Sequence, residues 1–147
     1  MKDLQTEISR FFEWAKITHE EFALGKAPDF AIQAEWTNEY PYYSDFCRSI
    51  PSAIDKLDAE WHDDLANMIL TAIAIDDEDS FVIDQLSENF SDLVRFTKFG
   101  YNHENPRTRV GIIDLLYNND LPNRDEILSI LKNDPDIMVS IYANHDR

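Results

Sequence analysis

Two similar stretches in the C-terminal third most strongly constrain the fold of this 147-residue chain. NPRTRVGIID begins at residue 105, and DPDIMVSIYA begins at residue 134. In each stretch a helix-capping residue type is followed by proline, by valine five places on and by isoleucine seven places on. Asn or Asp before proline and an apolar run is typical of a helix start. The pattern therefore predicts one helix from Asn105–Pro106 and another from Asp134–Pro135.

Apolar residues at helical spacing predict further helices along the rest of the chain. The predicted segments run from Asp3 to near Gly25, over 28–38, 42–49, 51–75, 80–90 and 91–102, over 106–119, from Pro122, and from Asp134 to the C-terminus. Prolines 28, 41 and 51 are predicted to stop or open helices. Three glycines in the whole chain disfavour a turn-rich sandwich or barrel. We therefore expect a single all-α domain spanning 1–147, with about eight to nine helices.

The stretch from Asn105 to Ala143 resembles a HEAT-type repeat. In that family an Asp/Asn-Pro start, a valine and often an arginine open one helix, and a second helix ends at the next Asp-Pro. The matching positions are Asn105, Pro106, Arg109 and Val110, and later Asp134, Pro135 and Val139. Gly111 and Ser140 stand where alanine is usual, and no arginine precedes Val139. The resemblance implies stacked antiparallel helical hairpins, a HEAT-like α-solenoid in which neighbours share one core.

Composition argues against several classes of function. The formal net charge of −16 disfavours direct nucleic-acid binding, because phosphate backbones attract clustered Lys and Arg. The same charge favours a basic partner protein. The longest apolar stretch, LANMILTAIAI at 65–75, is too short for a bilayer, and the N-terminus lacks a secretory apolar run. We therefore expect a cytoplasmic protein without membrane contact.

Motifs for catalysis or for metal binding are not found in the sequence. The four histidines do not occur at metal-ligand spacings, and the isolated glycines form no phosphate loop. His62 precedes Asp63 and Asp64, but adjacent helical residues point to different sides. The only cysteine, Cys47, has no nucleophile context in the sequence. We therefore predict a protein that is not an enzyme and carries no metal or cofactor.

A block of one charge sign occupies the middle of the chain. From Leu57 to Val94 there are eleven acidic residues and no Lys or Arg. We expect a negative surface that accelerates encounter with a basic protein. The alternative is a solvated face that only keeps the chain soluble. The predicted partner contacts are Asp58, Glu60, Asp63, Asp64, Asp76, Asp77 and Asp79.

An aromatic cluster precedes this block, in EWTNEYPYYSDF at 35–46. Tyr and Trp are common interface anchors, because they bury a large area and still form hydrogen bonds. Tyr42 and Tyr43 are the predicted anchors. The alternative is that much of the cluster fills the N-terminal core.

A small acidic helical-repeat chain of this kind resembles the immunity proteins of bacterial contact-dependent growth inhibition toxin systems. The resemblance implies that the chain neutralises one cognate toxin, frequently a basic nuclease, by covering its active site or a nearby surface. We expect a monomer, or a 1:1 heterodimer with the toxin domain. One alternative is a helical-repeat scaffold that binds a peptide or regulatory partner. Another is an enzyme with a site of scattered acids and histidines, which no residue spacing supports.

Overall fold

The computed structural model describes residues 3–24, 26, 36–76 and 80–145, and the regular secondary structure in these ranges is entirely helical. The predicted all-α class is therefore confirmed, and the architecture is compatible with a helical bundle or a solenoid. The described ranges contain ten helices, one or two more than expected. The helices are α1 Leu4–Ala15, α2 His19–Ala23, α3 Trp36–Glu39, α4 Tyr43–Ala59, α5 Asp63–Ile75, α6 Phe81–Asn89, α7 Leu93–Gly100, α8 Pro106–Asn118, α9 Arg124–Leu131 and α10 Ile137–Asn144.

The first predicted helix is divided into two. Lys16 adopts a left-handed conformation with φ of 57° and ends α1. Thr18 then begins α2 with a capping box, in which its hydroxyl accepts from the Glu21 N–H while the Glu21 carboxylate accepts from the Thr18 N–H. The predicted end near Gly25 and most of the predicted 28–38 helix lie outside the described residues.

The predicted helix boundary at Pro51 is wrong. Helix α4 continues through Pro51, which is exposed, and the chain breaks only at Glu60–His62. A proline inside a helix costs about 3 kcal/mol because it removes one backbone hydrogen bond and crowds the preceding turn. The cost is offset by a continuous buried stripe on the opposite face. That stripe consists of Phe46, Ile50, Ala53, Ile54 and Leu57.

Helices α5 and α8 form the centre of the molecule. Helix α5 packs against α1, α4, α6, α7 and α8, and α8 packs against α5, α6, α7, α9 and α10. Their close approach depends on Gly111, because a Cβ there would lie 2.3 Å from Ile73 Cγ2 and 3.3 Å from Ile83 Cδ1. A larger residue at position 111 would therefore force α5 and α8 apart.

The two similar stretches begin their helices differently. Asn105 caps α8 as predicted, since its side chain accepts from the Arg107 N–H at 2.9 Å and Pro106 is in the first turn. Helix α10, in contrast, is capped by Asp136. The predicted start at Asp134 is wrong by two residues: Asp134 accepts from the Asp136 N–H at 2.9 Å and binds Arg109 through both carboxylate oxygens at 2.9 Å, but α10 begins only after Asp136. The HEAT-like repeat itself stays a prediction.

Within the described ranges, no helix has both the length and the apolar composition needed to cross a lipid bilayer.

Candidate protein-binding surface

Trp61 is flanked in the chain by exposed acidic residues. It lies in the short connection between α4 and α5 and is half-buried. Its ring packs edge-on against Phe90, Phe96 and Phe99, with centroid distances of 6.4, 6.5 and 5.4 Å. These contacts with α7 and with Phe90, the residue after α6, hold the indole in one place, and one part of the ring stays in solvent.

Four of the predicted contact residues lie within three positions of Trp61 in the chain: Asp58, Glu60, Asp63 and Asp64. Asp63 accepts a hydrogen bond from Trp61 Nε1 at 2.8 Å. Glu60 is largely exposed, and its carboxylate lies 3.7 Å from His62 Nε2. Asp64 is exposed in the first turn of α5, where a carboxylate is favoured by the helix dipole. We name the group of Asp58, Glu60, Trp61, Asp63 and Asp64 the Trp61 face.

Asp58 joins this surface to the start of α7. Its Oδ1 accepts from the Ser91 N–H at 2.9 Å and from the Ser91 hydroxyl at 2.6 Å. These hydrogen bonds to the charged form lower the pKa of Asp58. Ser91 precedes an apolar run and is the predicted cap of α7, but Asp92 takes that position and accepts from the Arg95 N–H.

Because the sequence has no Lys or Arg from Leu57 to Val94, this surface is expected to lack cations, and that expectation is wrong. Arg95 of α7 stacks over the Trp61 ring, with its guanidinium carbon 4.2 Å from the centroid. The sequence block without Lys or Arg ends before Arg95, but the helix packing returns this residue to the acidic surface. The Trp61 face therefore consists of carboxylates around a cation–π pair.

The expected exposure of Asp76 is also wrong, because Asp76 is only 3% exposed. One carboxylate oxygen accepts from the Tyr43 hydroxyl, and the other accepts from the Val82 N–H at 2.8 Å. Ser80, which precedes α6, forms no side-chain cap, so Asp76 binds an N–H of that first turn from the end of α5. Asp76 is thus part of the interior, and the half-buried Tyr43 packs against the core beside it. The Asp77 and Asp79 candidates lie outside the described residues.

Tyr42 belongs to a different surface. It is 44% exposed and lies at the start of α4, whereas Asp58 lies near its end. At 1.5 Å per residue the two positions are about 24 Å apart, so they belong to separate contacts. Arg10 of α1 stacks over the Tyr42 ring at 4.5 Å. Helical spacing of apolar residues predicts that α1 packs on the core, but it does not indicate that Arg10 contacts Tyr42.

Apolar residues at helical spacing predict that α9 and α10 turn Ile130, Ile137, Met138 and Ile141 toward the core, and this prediction is wrong. Four side chains expected to face the core are instead exposed. They are Ile130, Ile137, Met138 and Ile141, with exposed fractions of 49, 72, 62 and 57%. The buried positions of α10 are Val139 and Ala143. Helix α10 begins only at Ile137 and is apolar on nearly every side, so helical spacing alone does not indicate which of its faces is buried.

Two features of the described residues bear on metal binding and on catalysis. No group of three or more His, Cys, Asp or Glu side chains there could hold a metal ion. A cavity of about 360 Å³ contains His19 and His103 in its wall. Burial lowers the pKa of His103, whose Nδ1 accepts from the Asn105 N–H at 3.1 Å. That histidine therefore supports the turn before α8.

Comparison with protein-family models, with curated proteins and with solved structures found no match to this chain.

Proposed function

We propose that this chain is an immunity protein, which binds a basic nuclease toxin in the cytoplasm and neutralises it by stoichiometric blocking. The observation that carries the proposal is the Trp61 face, where Glu60, Asp63 and Asp64 are exposed around one fixed indole. The chain as a whole has a formal net charge of −16. A strongly negative surface of this kind favours a positively charged partner.

In the proposed mechanism, charge first brings the two proteins together. A nuclease binds phosphate groups with Lys and Arg, so its cleft attracts carboxylates as well. Such electrostatic steering raises association rates by roughly 10- to 1000-fold at low salt. Glu60, Asp63 and Asp64 would then occupy positions that nucleic-acid phosphates otherwise take, and the substrate would be excluded.

Trp61 would supply the apolar part of the contact. Interface energy concentrates in a few residues, among which Trp and Arg are over-represented. The Trp61 ring is already held by Phe99 and Arg95, so little side-chain entropy remains to be lost when a partner covers it. The proposal therefore predicts a central indole surrounded by charge pairs.

The test is co-expression with the nuclease domain encoded next to this chain's gene. A D63K/D64K variant reverses two first-turn acids of α5, and D125K/E126K reverses two first-turn acids of α9, so the change in net charge is the same. We expect D63K/D64K to lose growth protection and D125K/E126K to retain it. Full protection by both variants would contradict the proposed surface.

The alternative function, an interaction scaffold, is favoured by the apolar surface of α9 and α10. Asp125, Glu126 and Asp136 adjoin its exposed side chains, so the matching ligand is an amphipathic helix with basic residues beside its apolar stripe. This alternative predicts the opposite result in the same test. D125K/E126K would then impair binding, as would I137S/M138S, while D63K/D64K would not.

A further inference from the structure

A second charged groove lies between α1 and the start of α4, away from the Trp61 face. It measures about 680 Å³ and is lined by Arg10, Glu13, Trp14, Tyr42 and Asp45. Two aromatic rings and two carboxylates thus border one open space. Aromatic faces beside carboxylates are the surroundings that a guanidinium or an ammonium group prefers.

A cation of the chain itself already uses this chemistry. The Arg10 guanidinium carbon lies 4.5 Å from the centre of the Tyr42 ring, and Arg10 Nη1 lies 3.1 Å from Asp45 Oδ2. Arg48 also donates to Asp45, from the solvent side, at 3.2 Å. The groove therefore holds a resident arginine on its aromatic and acidic wall.

Behind Arg10 lies a buried carboxylate with no hydrogen bond. Glu7 is fully buried, and neither of its oxygens has a hydrogen-bond partner. The nearest cation is Arg10, whose Nη1 lies 3.6 Å from Glu7 Oε1, which is too far for a hydrogen bond. A buried charge without such a bond is costly. Arg10 is thus the cation between two carboxylates, and it bonds only the one in the groove.

The tyrosine beside this carboxylate is also unsatisfied. The Tyr40 hydroxyl is buried without a hydrogen-bond partner. Burial raises the Tyr40 pKa, and the negative charge of Glu7 raises it further, so this hydroxyl stays neutral. The interior behind Arg10 therefore contains unpaired oxygens of Glu7 and Tyr40, which could accept hydrogen bonds from the guanidinium after an inward movement.

We propose that this groove binds an arginine or lysine side chain of a protein partner, and that Arg10 is its exchangeable resident. The incoming cation takes the Tyr42 face and the Asp45 carboxylate. Arg10 then moves onto Glu7, which it nearly reaches already. The groove is open to solvent on one side, so a cation in it contacts only the lining side chains, and a protein that carries the side chain would add further contacts around the opening.

This inference rests on the proposed function only for the partner, a basic protein. The chemistry of the groove is independent of it, and so is the test. The Trp61 face and the groove would be two contacts near opposite ends of α4.

The test is an NMR titration of the full chain with N-acetylarginine amide and with N-acetyllysine amide. N-acetylcitrulline amide, which is nearly isosteric with the arginine compound but uncharged, is the matched control. We expect both cations to shift the indole N–H signal of Trp14 and the ring signals of Tyr42, and to leave the Trp61 indole signal in place. An equal response to citrulline, or shifts confined to Trp61, would overturn the proposal.

Three variants separate direct contact from exchange. Loss of the ring in Y42A should weaken binding about fivefold, as expected for a cation–π contact of about 1 kcal/mol, while Y42F should bind like the parent. E7Q should also weaken binding, although Glu7 is buried and cannot touch the ligand. Parent-like binding by E7Q would overturn the exchange step. Since Tyr42 is exposed, its variants keep the test valid if E7Q folds poorly.

The two proposals can fail separately. Cation binding at the groove without protection from any nuclease would refute the immunity function alone. Protection by a chain whose groove binds neither cation would refute the groove proposal alone.

Discussion

The two ends of α5 belong to the same acidic block, but their carboxylates have opposite roles. At the N-terminal end, Asp63 and Asp64 are exposed in the first turn. At the C-terminal end, Asp76 is 3% exposed and binds Tyr43 and the backbone of α6. A run of acids without Lys or Arg therefore says little about which of them face a partner.

The hydrogen-bond donors near each end explain the difference. Helix α6 begins after Ser80, which gives no side-chain cap, so the Val82 N–H depends on Asp76 for an acceptor. At the other end, Asp63 and Asp64 lie at a helix N-terminus, where the helix dipole favours carboxylates that remain exposed to solvent. One end of α5 thus stabilises the fold, and the other is available for binding.

The largest effect is expected from D76A. The substitution removes an α6 first-turn acceptor and the acceptor of the Tyr43 hydroxyl inside the protein, which should lower the free energy of unfolding by about 3 kcal/mol. Urea denaturation followed by circular dichroism measures it. D64A, at the exposed end of the same helix, should cost about 1 kcal/mol or less. Equal losses for the two variants would remove the distinction between the ends.

The Asp76 end should also make the protein sensitive to alkali. Burial, and then the hydrogen bond to Asp76, raise the pKa of Tyr43, and burial raises that of Tyr40. A raised pKa adds stability below the unfolded value of about 10, and this contribution is lost as pH rises above it, by about 1.4 kcal/mol per pH unit for each group.

The contributions of Tyr40 and Tyr43 to stability can be distinguished, because only Tyr43 has a hydrogen-bond partner for its hydroxyl. Y40F and Y43F should each reduce the alkaline slope, measured by urea denaturation between pH 9 and 11. Only Y43F should weaken the protein at pH 7, because the Tyr40 hydroxyl has no partner to lose. An unchanged slope in both variants would contradict the assignment.

A smaller effect is expected at Asp58. Ser91 lowers the Asp58 pKa through two hydrogen bonds, so the ionised carboxylate adds stability above the unfolded pKa of about 4, and that stability is lost as pH falls through the lowered value. D58N should therefore melt below the parent at pH 7, and the gap should narrow in acid. D64N serves as the control. A gap that stays constant from pH 7 to pH 3 would disprove the role of the Asp58 charge.

Local patterns could be predicted from the sequence, but the choice among competing partners could not. Asn105 and Pro106 correctly predicted the start of α8, because capping involves only neighbouring residues. Asp134 resembled the same signal and also accepts from the N–H two residues on, but its carboxylate binds Arg109, 25 residues earlier in the chain, and Asp136 is the cap of α10. Pro51 failed as a boundary for a related reason, since burial along the other face of α4 outweighs a local cost.

The candidate surface shows the same limit. Glu60, Asp63 and Asp64 could be predicted, because connections and first turns are normally exposed. The interior position of Asp76 depends on the uncapped start of α6, and the approach of Arg95 to Trp61 depends on how α7 packs. Both depend on tertiary contacts that no local pattern contains.

The most direct test of the proposed binding surface is the association rate of the chain with the proposed basic nuclease partner, measured by stopped-flow over a range of salt concentrations. At low salt, D63K/D64K should associate about tenfold or more slowly than the parent, and its rate should depend less on salt. D125K/E126K, with the same change in net charge, should remain close to the parent. Equal rates and equal salt dependence for the two variants would contradict the claim that the exposed end of α5 is the binding surface.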